Sequence, residues 1–388
     1  GRCPHRPDGF ERIIMSKRKL LKGCRRVVIK VGTSTLTHSN GQLHLRRIES
    51  LVREIADLHN QDMEVLLVSS GAIRVGANRM GYKNVPKTMP EKQALAAIGQ
   101  GALLHLYEKL FAEYGKTVAQ VLITRGDFDE RLRYLNATNA FLSILSMGVI
   151  PIINENDTVV VEEIKFGDND TLSALVAGIV DADLLILLSD VDGFYSSDPR
   201  LDHNATLLGE IEEITDEMEG NSHNRGSSFS SGGMYTKLKA ARICMAAGIP
   251  MVIANSSEEN VIRRVVDGEP LGTLFIPRTE RMHARMKWIA FGSVTQGAVT
   301  VDPGAEQALL KRGKSLLPSG VQQVEGEFER GAIIAVCNQA GLEIARGVVN
   351  YSDSEIRQIA GKKTTEIEKI LGGKDYDEII HRNNLWVE

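Results

Sequence analysis

Short, continuously apolar runs alternate with longer stretches of helical periodicity through the first two-thirds of this chain. Residues 27–31, 65–69, 118–123, 149–153, 184–188 and 251–254 are rich in Val, Ile and Leu. They read as strands covered on both faces, since a half-exposed strand would alternate polar and apolar positions. Between them, 45–59 spaces Leu45, Ile48, Leu51, Val52, Ile55 and Leu58 three and four residues apart, the signature of a helix with one buried stripe. Similar patterns run over 92–114, 134–147, 171–180 and 235–247. Alternation at this spacing predicts an α/β domain, a mostly parallel sheet sandwiched between two layers of helices.

The pattern changes after Pro277. A charged stretch gives way to short alternating strands with turn glycines, such as 297–301, 331–336 and 342–349, which predict a separate small β-rich domain. The expected divisions are an N-terminal extension at 1–24, a catalytic domain at 25–278, a linker at 279–291, the small domain at 292–370 and a tail at 371–388. One internal stretch, 221–233, is dominated by Ser, Gly and Asn. It is either a mobile loop or a phosphate loop leading into the helix that begins near Met234.

A length of 388 residues exceeds what one core usually serves, so two domains agree with the pattern. A hydrophobic content of 43%, a charged content of 25% and a net charge of −4 suit a globular protein and argue against a chain-wide basic footprint for nucleic acid or membrane. Cys3, Cys24, Cys244 and Cys337 are scattered, which points to free thiols in a reducing compartment. No apolar run approaches the roughly 20 residues of a membrane helix. The basic N-terminus lacks the apolar core of a secretory signal, and the residues before Met15 have the character of a leader. A cytoplasmic protein is expected.

Two G-K-[ST] sequences, at Gly115 and Gly313, lack the upstream glycine of a P-loop, with Leu110 and Ala308 in its place. No dinucleotide fingerprint or zinc-ligand cluster is present. The candidate chemistry lies at strand ends instead. Lys30 sits inside an apolar strand just before Gly32, and a buried lysine needs an anion, either a structural carboxylate or a ligand. Ser69-Ser70-Gly71-Ala72 ends the second strand with small residues, and Ser189-Asp190 ends another; each alone would pass for an ordinary turn. Asn154-Glu155-Asn156-Asp157 and Gly167-Asp168-Asn169-Asp170 gather acids and amides where a strand ends and a helix begins. Gly232-Gly233-Met234-Tyr235-Thr236-Lys237 is a glycine-led helix start with a lysine one turn in, which suits phosphate. Open α/β sheets place ligands at the carboxyl ends of their strands, so these pieces together indicate phosphoryl transfer.

Together with Val28-Ile29-Lys30-Val31-Gly32-Thr33-Ser34 and Asp198-Pro199-Arg200, these motifs resemble one family, the amino acid kinases, and within it the branch acting on glutamate. The resemblance runs from about Arg26 to Ile370. It includes a tail domain similar to a PUA domain, through Val301-Asp302-Pro303-Gly304-Ala305 and Lys314-Ser315-Leu316-Leu317-Pro318-Ser319-Gly320. Ser189 stands where a threonine is common, and Tyr235 fills a variable position; neither departure removes a charge the chemistry requires.

The resemblance implies transfer of the γ-phosphoryl group of ATP to the side-chain carboxylate of L-glutamate. Lys30 would meet the transferring group and Lys237 the nucleotide phosphates, with Asp170 aiming both. Ser189, Asp190, Ser231, Gly232, Gly233 and Met234 would line the ATP site with those lysines. Asp157 and Asn169, helped by Ser70 and Asp168, would hold glutamate. Mg²⁺ is expected on phosphate oxygens and water without a protein cage. The resemblance further implies inhibition by proline, a homo-oligomer (dimer or tetramer) and coupling to glutamyl phosphate reductase. A sibling kinase acting on aspartate, acetylglutamate, carbamate or a nucleotide is the first alternative. An RNA-binding role for the tail is the second, and the near balance of basic and acidic residues after Arg285 argues against it while leaving a local patch open.

Overall fold

The six apolar runs become the strands of one sheet. A computed structural model of the chain describes residues 17–38, 40–129, 131–159, 169–197, 199, 202, 204–215, 218, 233–277 and 295–387. In it the runs form β1 (Arg26–Val31), β2 (Glu64–Ser69), β3 (Val118–Ile123), β4 (Ile150–Glu155), β5 (Leu184–Ser189) and, after a two-residue β6 (Glu210–Ile211), β7 (Met251–Asn255). A short β8 (Thr273–Phe275) completes eight strands in the order β3-β4-β2-β1-β5-β7-β8-β6. All neighbours from β3 to β7 are parallel, and only β8 runs antiparallel to β7. β4 and β5 are buried at every position and β1 and β2 at all but the first, which is why their sequences show no alternation.

The connecting helices are α1 (Leu45–Asn60), α2 (Ala72–Arg79), α3 (Met89–Ala112), α4 (Arg131–Ser146), α5 (Asn169–Ile179), α6 (Met234–Ala246) and α7 (Val261–Val266). α1 buries Ile48, Leu51, Val52, Ile55 and Leu58 of the predicted stripe, while Leu45, its first residue, is exposed. Its one buried acid, Glu54, accepts from the backbone N–H groups of Ile262 (2.9 Å) and Arg263 (3.3 Å) at the start of α7, where a carboxylate satisfies open donors. α2 and α7 are too short to show periodicity. α3 starts three residues before its expected beginning because Pro90 falls in its first turn, where a missing N–H costs nothing.

α2 and α3 pack backbone to backbone. A Cβ built on Gly76 would lie 1.9 Å from the Leu95 carbonyl oxygen, and one on Gly99 would lie 1.8 Å from that of Ala72. This crossing holds the helix that follows the Ser69-Ser70-Gly71 turn.

Part of the stretch assigned to the N-terminal extension packs into this unit. Leu21 joins its core, and the buried Arg18 guanidinium donates to the carbonyl oxygens of Glu269, Leu271, Gly209 and Gly272 at 2.8–2.9 Å. Among the described residues, no helix is long and apolar enough to cross a membrane.

A second compact unit follows the first. Its strands are β9 (Gly297–Val301), β10 (Val321–Gly326), β11 (Ile333–Cys337), β12 (Glu343–Val348) and β13 (Leu385–Val387), ordered β10-β9-β11-β12-β13. Its helices include α8 (Pro303–Arg312) and α9 (Asp353–Ile359). Asp302 caps α8 by accepting from the Ala305 N–H at 2.7 Å, and Ser352 with Glu355 forms a capping box on α9. The 371–388 stretch, expected as a tail, supplies β13, which pairs with β12. The expected linker at 279–291 lies outside the described residues.

Gly99→Val should lower stability by about 2–3 kcal/mol or more, because helix backbone cannot yield as a side chain does. Gly101→Ala, on the same helix with nothing within 4 Å of the added carbon, should be neutral or stabilising by about 0.5–1 kcal/mol. Urea denaturation of both variants checks this; equal effects would contradict the close crossing.

Candidate active site

β1 lies mid-sheet, with β2 on one side and β5 on the other. The connections after β1 and β5 therefore leave to opposite sides, and a crevice opens at the carboxyl end of β1. Lys30 is the next-to-last residue of β1 and is only 6% exposed. Its Nζ meets Oδ1 of Asp170, in the first turn of α5, at 2.5 Å. The other oxygen, Oδ2, accepts from Lys237 Nζ at 3.1 Å and from Thr236 Oγ1 at 2.8 Å, both in the first turn of α6. Thr236 Oγ1 also lies 2.7 Å from the carbonyl oxygen of Gly233. Three segments far apart in sequence thus converge on one carboxylate.

Asp170 has no solvent exposure and Lys237 is 7% exposed. Burial by itself would push the Asp170 carboxyl up. The ammonium groups of Lys30 and Lys237, with the Thr236 hydroxyl, outweigh burial and hold it well below the usual carboxylate range. Two ammonium groups around one carboxylate leave a net positive charge in the crevice, which is what an arriving phosphate requires.

A second cluster borders this one. Asn169 Nδ2 reaches Ser70 Oγ at 2.9 Å, Asn154 Oδ1 at 2.8 Å and the Ser69 carbonyl oxygen at 3.3 Å. Asn154, the last residue but one of β4, donates from Nδ2 to Gln100 Oε1 of α3 at 2.9 Å. The Ser70 N–H donates to the Val31 carbonyl oxygen at 3.2 Å, and its hydroxyl is the group that meets Asn169. Ser69 Oγ and the buried Tyr107 hydroxyl lie 2.9 Å apart beneath it. Asp157 follows β4 in a turn and is half-buried.

On the β5 side, Ser189 Oγ donates to Asp190 Oδ1 at 3.2 Å. Ser189 is buried and Asp190 exposed. Gly233 caps α6 and Met234 opens it. Ser231, Gly232 and Asp168 lie outside the described residues. Of the site glycines, Gly71 has a positive φ of 97° that only glycine adopts freely. A methyl on Gly32 would make an ordinary contact with Lys30 Nζ at 3.7 Å, and one on Gly233 would meet nothing. The polypeptide itself therefore demands glycine at neither place. Asn154 and Thr236 fall within motifs read from the sequence but carry no individual role there, and Gln100 was not singled out; an amide, a hydroxyl and a helix glutamine carry no signal of their own until their partners are known.

Both Asp170 oxygens are taken up by Lys30, Lys237 and Thr236, and among the described residues no three His, Cys, Asp or Glu side chains converge as a metal cage.

A lysine-rich, carboxylate-organised crevice at the strand ends of a parallel sheet defines a phosphotransferase. The amino acid kinase family model matches residues 25–255, and the PUA domain model matches 297–371. The glutamate 5-kinase of Moorella thermoacetica is 53% identical over 370 residues, which is 95% of this chain and 98% of that protein. That of Carboxydothermus hydrogenoformans is 53% identical over 369 residues, 95% of this chain and 99% of its own. That of Thermoanaerobacter pseudethanolicus is 52% identical over 360 residues, 93% and 97% respectively. The chain belongs to the amino acid kinase family and, within it, groups with the glutamate 5-kinases.

Because the Asp170 carboxyl is held below its unfolded value of about 3.8, its contribution to stability is complete above that value and is lost as pH falls through the folded value. Asp170→Asn should cost about 3–5 kcal/mol near neutrality by leaving two ammonium groups without their anion. Urea denaturation across pH should show this gap constant above about pH 5 and narrowing on acidification below it.

Proposed function

We propose that this chain transfers the γ-phosphoryl group of ATP to the side-chain carboxylate of L-glutamate, giving γ-glutamyl phosphate and ADP, the first step of proline biosynthesis. The observation carrying the proposal is the convergence of Lys30, Asp170 and Lys237 at the carboxyl ends of β1 and its neighbours. A carboxylate is already an anionic nucleophile at neutral pH, so no general base is required. The obstacle is bringing two anions together, and catalysis consists of positioning and positive charge.

In this reading Lys30 contacts the transferring phosphoryl group and Lys237 the nucleotide phosphates and the leaving oxygen. Asp170 holds both ammonium groups charged and aimed, and Thr236 fixes Asp170. The glycines at 32 and 233 leave room for phosphate oxygens beside Lys30 and at the start of α6. Mg²⁺ arrives with ATP and offsets charge on its phosphates. ATP lies against Ser189, Asp190, residues 231–233 and the first turn of α6. Asn169 spends its amide N–H groups within the protein, so its oxygen is the atom that accepts from the glutamate ammonium, beside Asp157. The Ser70 hydroxyl, which accepts from Asn169, keeps its proton for a substrate carboxylate, and Asp168 assists. The same proposal places the enzyme in the cytoplasm as a homo-oligomer, for which exposed Ile98 and Leu122 supply apolar surface. Its acyl-phosphate product is labile, which favours direct delivery to glutamyl phosphate reductase.

ADP release with glutamate as sole acceptor, with the acyl phosphate trapped by hydroxylamine, should be strong in the wild type. In Lys237→Ala it should fall by about 10²–10³-fold in kcat. Trapping only with aspartate, acetylglutamate or carbamate, or transfer only to a nucleotide, would replace glutamate as the acceptor.

Proline is proposed to inhibit by occupying the glutamate pocket. Asp157→Ala should then raise the half-inhibitory proline concentration and the KM for glutamate together. Unchanged inhibition beside a raised KM would place proline elsewhere.

A further inference from the structure

The second unit carries a cavity of about 690 Å³ whose lining residues all fall between Asp302 and Arg382. That volume falls within the roughly 300–1,000 Å³ of pockets that enclose small organic molecules. One wall is α8, which lines the cavity with the small residues Gly304, Ala305 and Ala308 and with Leu309 of the same helix. Leu309, Leu316 and Leu317 add apolar surface. The rim carries Lys314, Ser315, Ser319, His381 and Arg382.

The cavity is held open by ordered backbone. Leu316 bridges Ile380, donating to its carbonyl oxygen at 2.9 Å, so the 314–317 and 378–382 segments lie side by side. The Arg382 N–H donates to Ser315 Oγ at 3.0 Å, which leaves the Ser315 proton for a ligand. The lining also carries two acids, Asp302 and Glu378. Asp302 caps α8 at 2.7 Å, and Glu378 Oε1 lies 3.8 Å from His381 Nε2. Lys314 and Arg382 have no carboxylate partner within ion-pair distance among the described residues, and both belong to this one lining. Two available cations and serine hydroxyls on one lining suit an anion with several acceptor oxygens, and a phosphate is better served than a carboxylate. A wall of glycine and alanine leaves space for a flat ring.

We propose that this cavity is a binding site for a small phosphate ester with a planar apolar body, its phosphate held by Lys314, Arg382 and the Ser315 hydroxyl and its ring laid against Gly304, Ala305 and Ala308. The lining is drawn wholly from the second unit, which would then have a ligand of its own.

The test uses the full chain, saturated with ATP analogue to occupy the kinase crevice, titrated with 1-naphthyl phosphate by calorimetry. The probe should bind, and Lys314→Ala with Arg382→Ala should weaken it by about tenfold for each cation removed, or about 1.4 kcal/mol each. Ala308→Trp should abolish binding by filling the wall. Both variants should keep wild-type thermal unfolding and glutamate-dependent ADP release, which separates loss of this site from loss of folding or of the kinase reading. Inorganic phosphate should bind far more weakly than the aryl ester. The proposal is overturned if the probe fails to bind, if the ATP analogue displaces it, if neither variant changes its affinity, or if inorganic phosphate binds equally well.

Discussion

One carboxylate buried between two ammonium groups organises the catalytic unit. Removing a lone charge from water costs several kcal/mol, and a pair offsets that only when its geometry is good. Here Asp170 meets Lys30 on one oxygen and Lys237 with Thr236 on the other. The arrangement is complete for the aspartate and incomplete for the lysines, each of which keeps donor capacity. The surplus positive charge is thereby held in a buried place, where a phosphate feels it with little screening by water.

The sheet makes the meeting possible. Lys30 comes from the central strand, Asp170 from the N-terminus of α5 and Lys237 from that of α6. The helix ends add the pull of open backbone N–H groups to that of the side chains. The amide cluster of Asn169, Asn154, Gln100 and Ser70 borders the same crevice and ties α5, β4, α3 and the end of β2 together. Its hydrogen bonds are mutual, so each member fixes the orientation of the next. The close crossing of α2 on α3, allowed by Gly76 and Gly99, sets where Gln100 begins that chain.

The second unit is built differently. Its sheet is largely antiparallel, its helices are capped by local side chains, and its last strand comes from the end of the chain. Nearly balanced charge over that region does not describe every surface, because Lys314 and Arg382 share one lining and have no carboxylate partner within ion-pair distance among the described residues. Net charge describes a surface on average, whereas a ligand meets individual groups.

Strand positions, the long helices and the charged motifs were legible in the chain itself, because burial on two faces and a 3.6-residue repeat each leave a linear trace. Lys30, Asp170 and Lys237 stood out for the same reason: a charge inside an apolar run, or beside a glycine at a helix start, is conspicuous. Short elements such as α2, α7, β6 and β8 span too few residues to show a period, and β13 lay in what reads as a tail. Arg18 could not be recognised as buried, since its partners are backbone carbonyls about 190 or more residues away. The partners of Thr236, Asn154 and Gln100 came only from tertiary structure. A hydrogen bond between distant residues depends on distance and direction in space, and neither is written in the order of the chain.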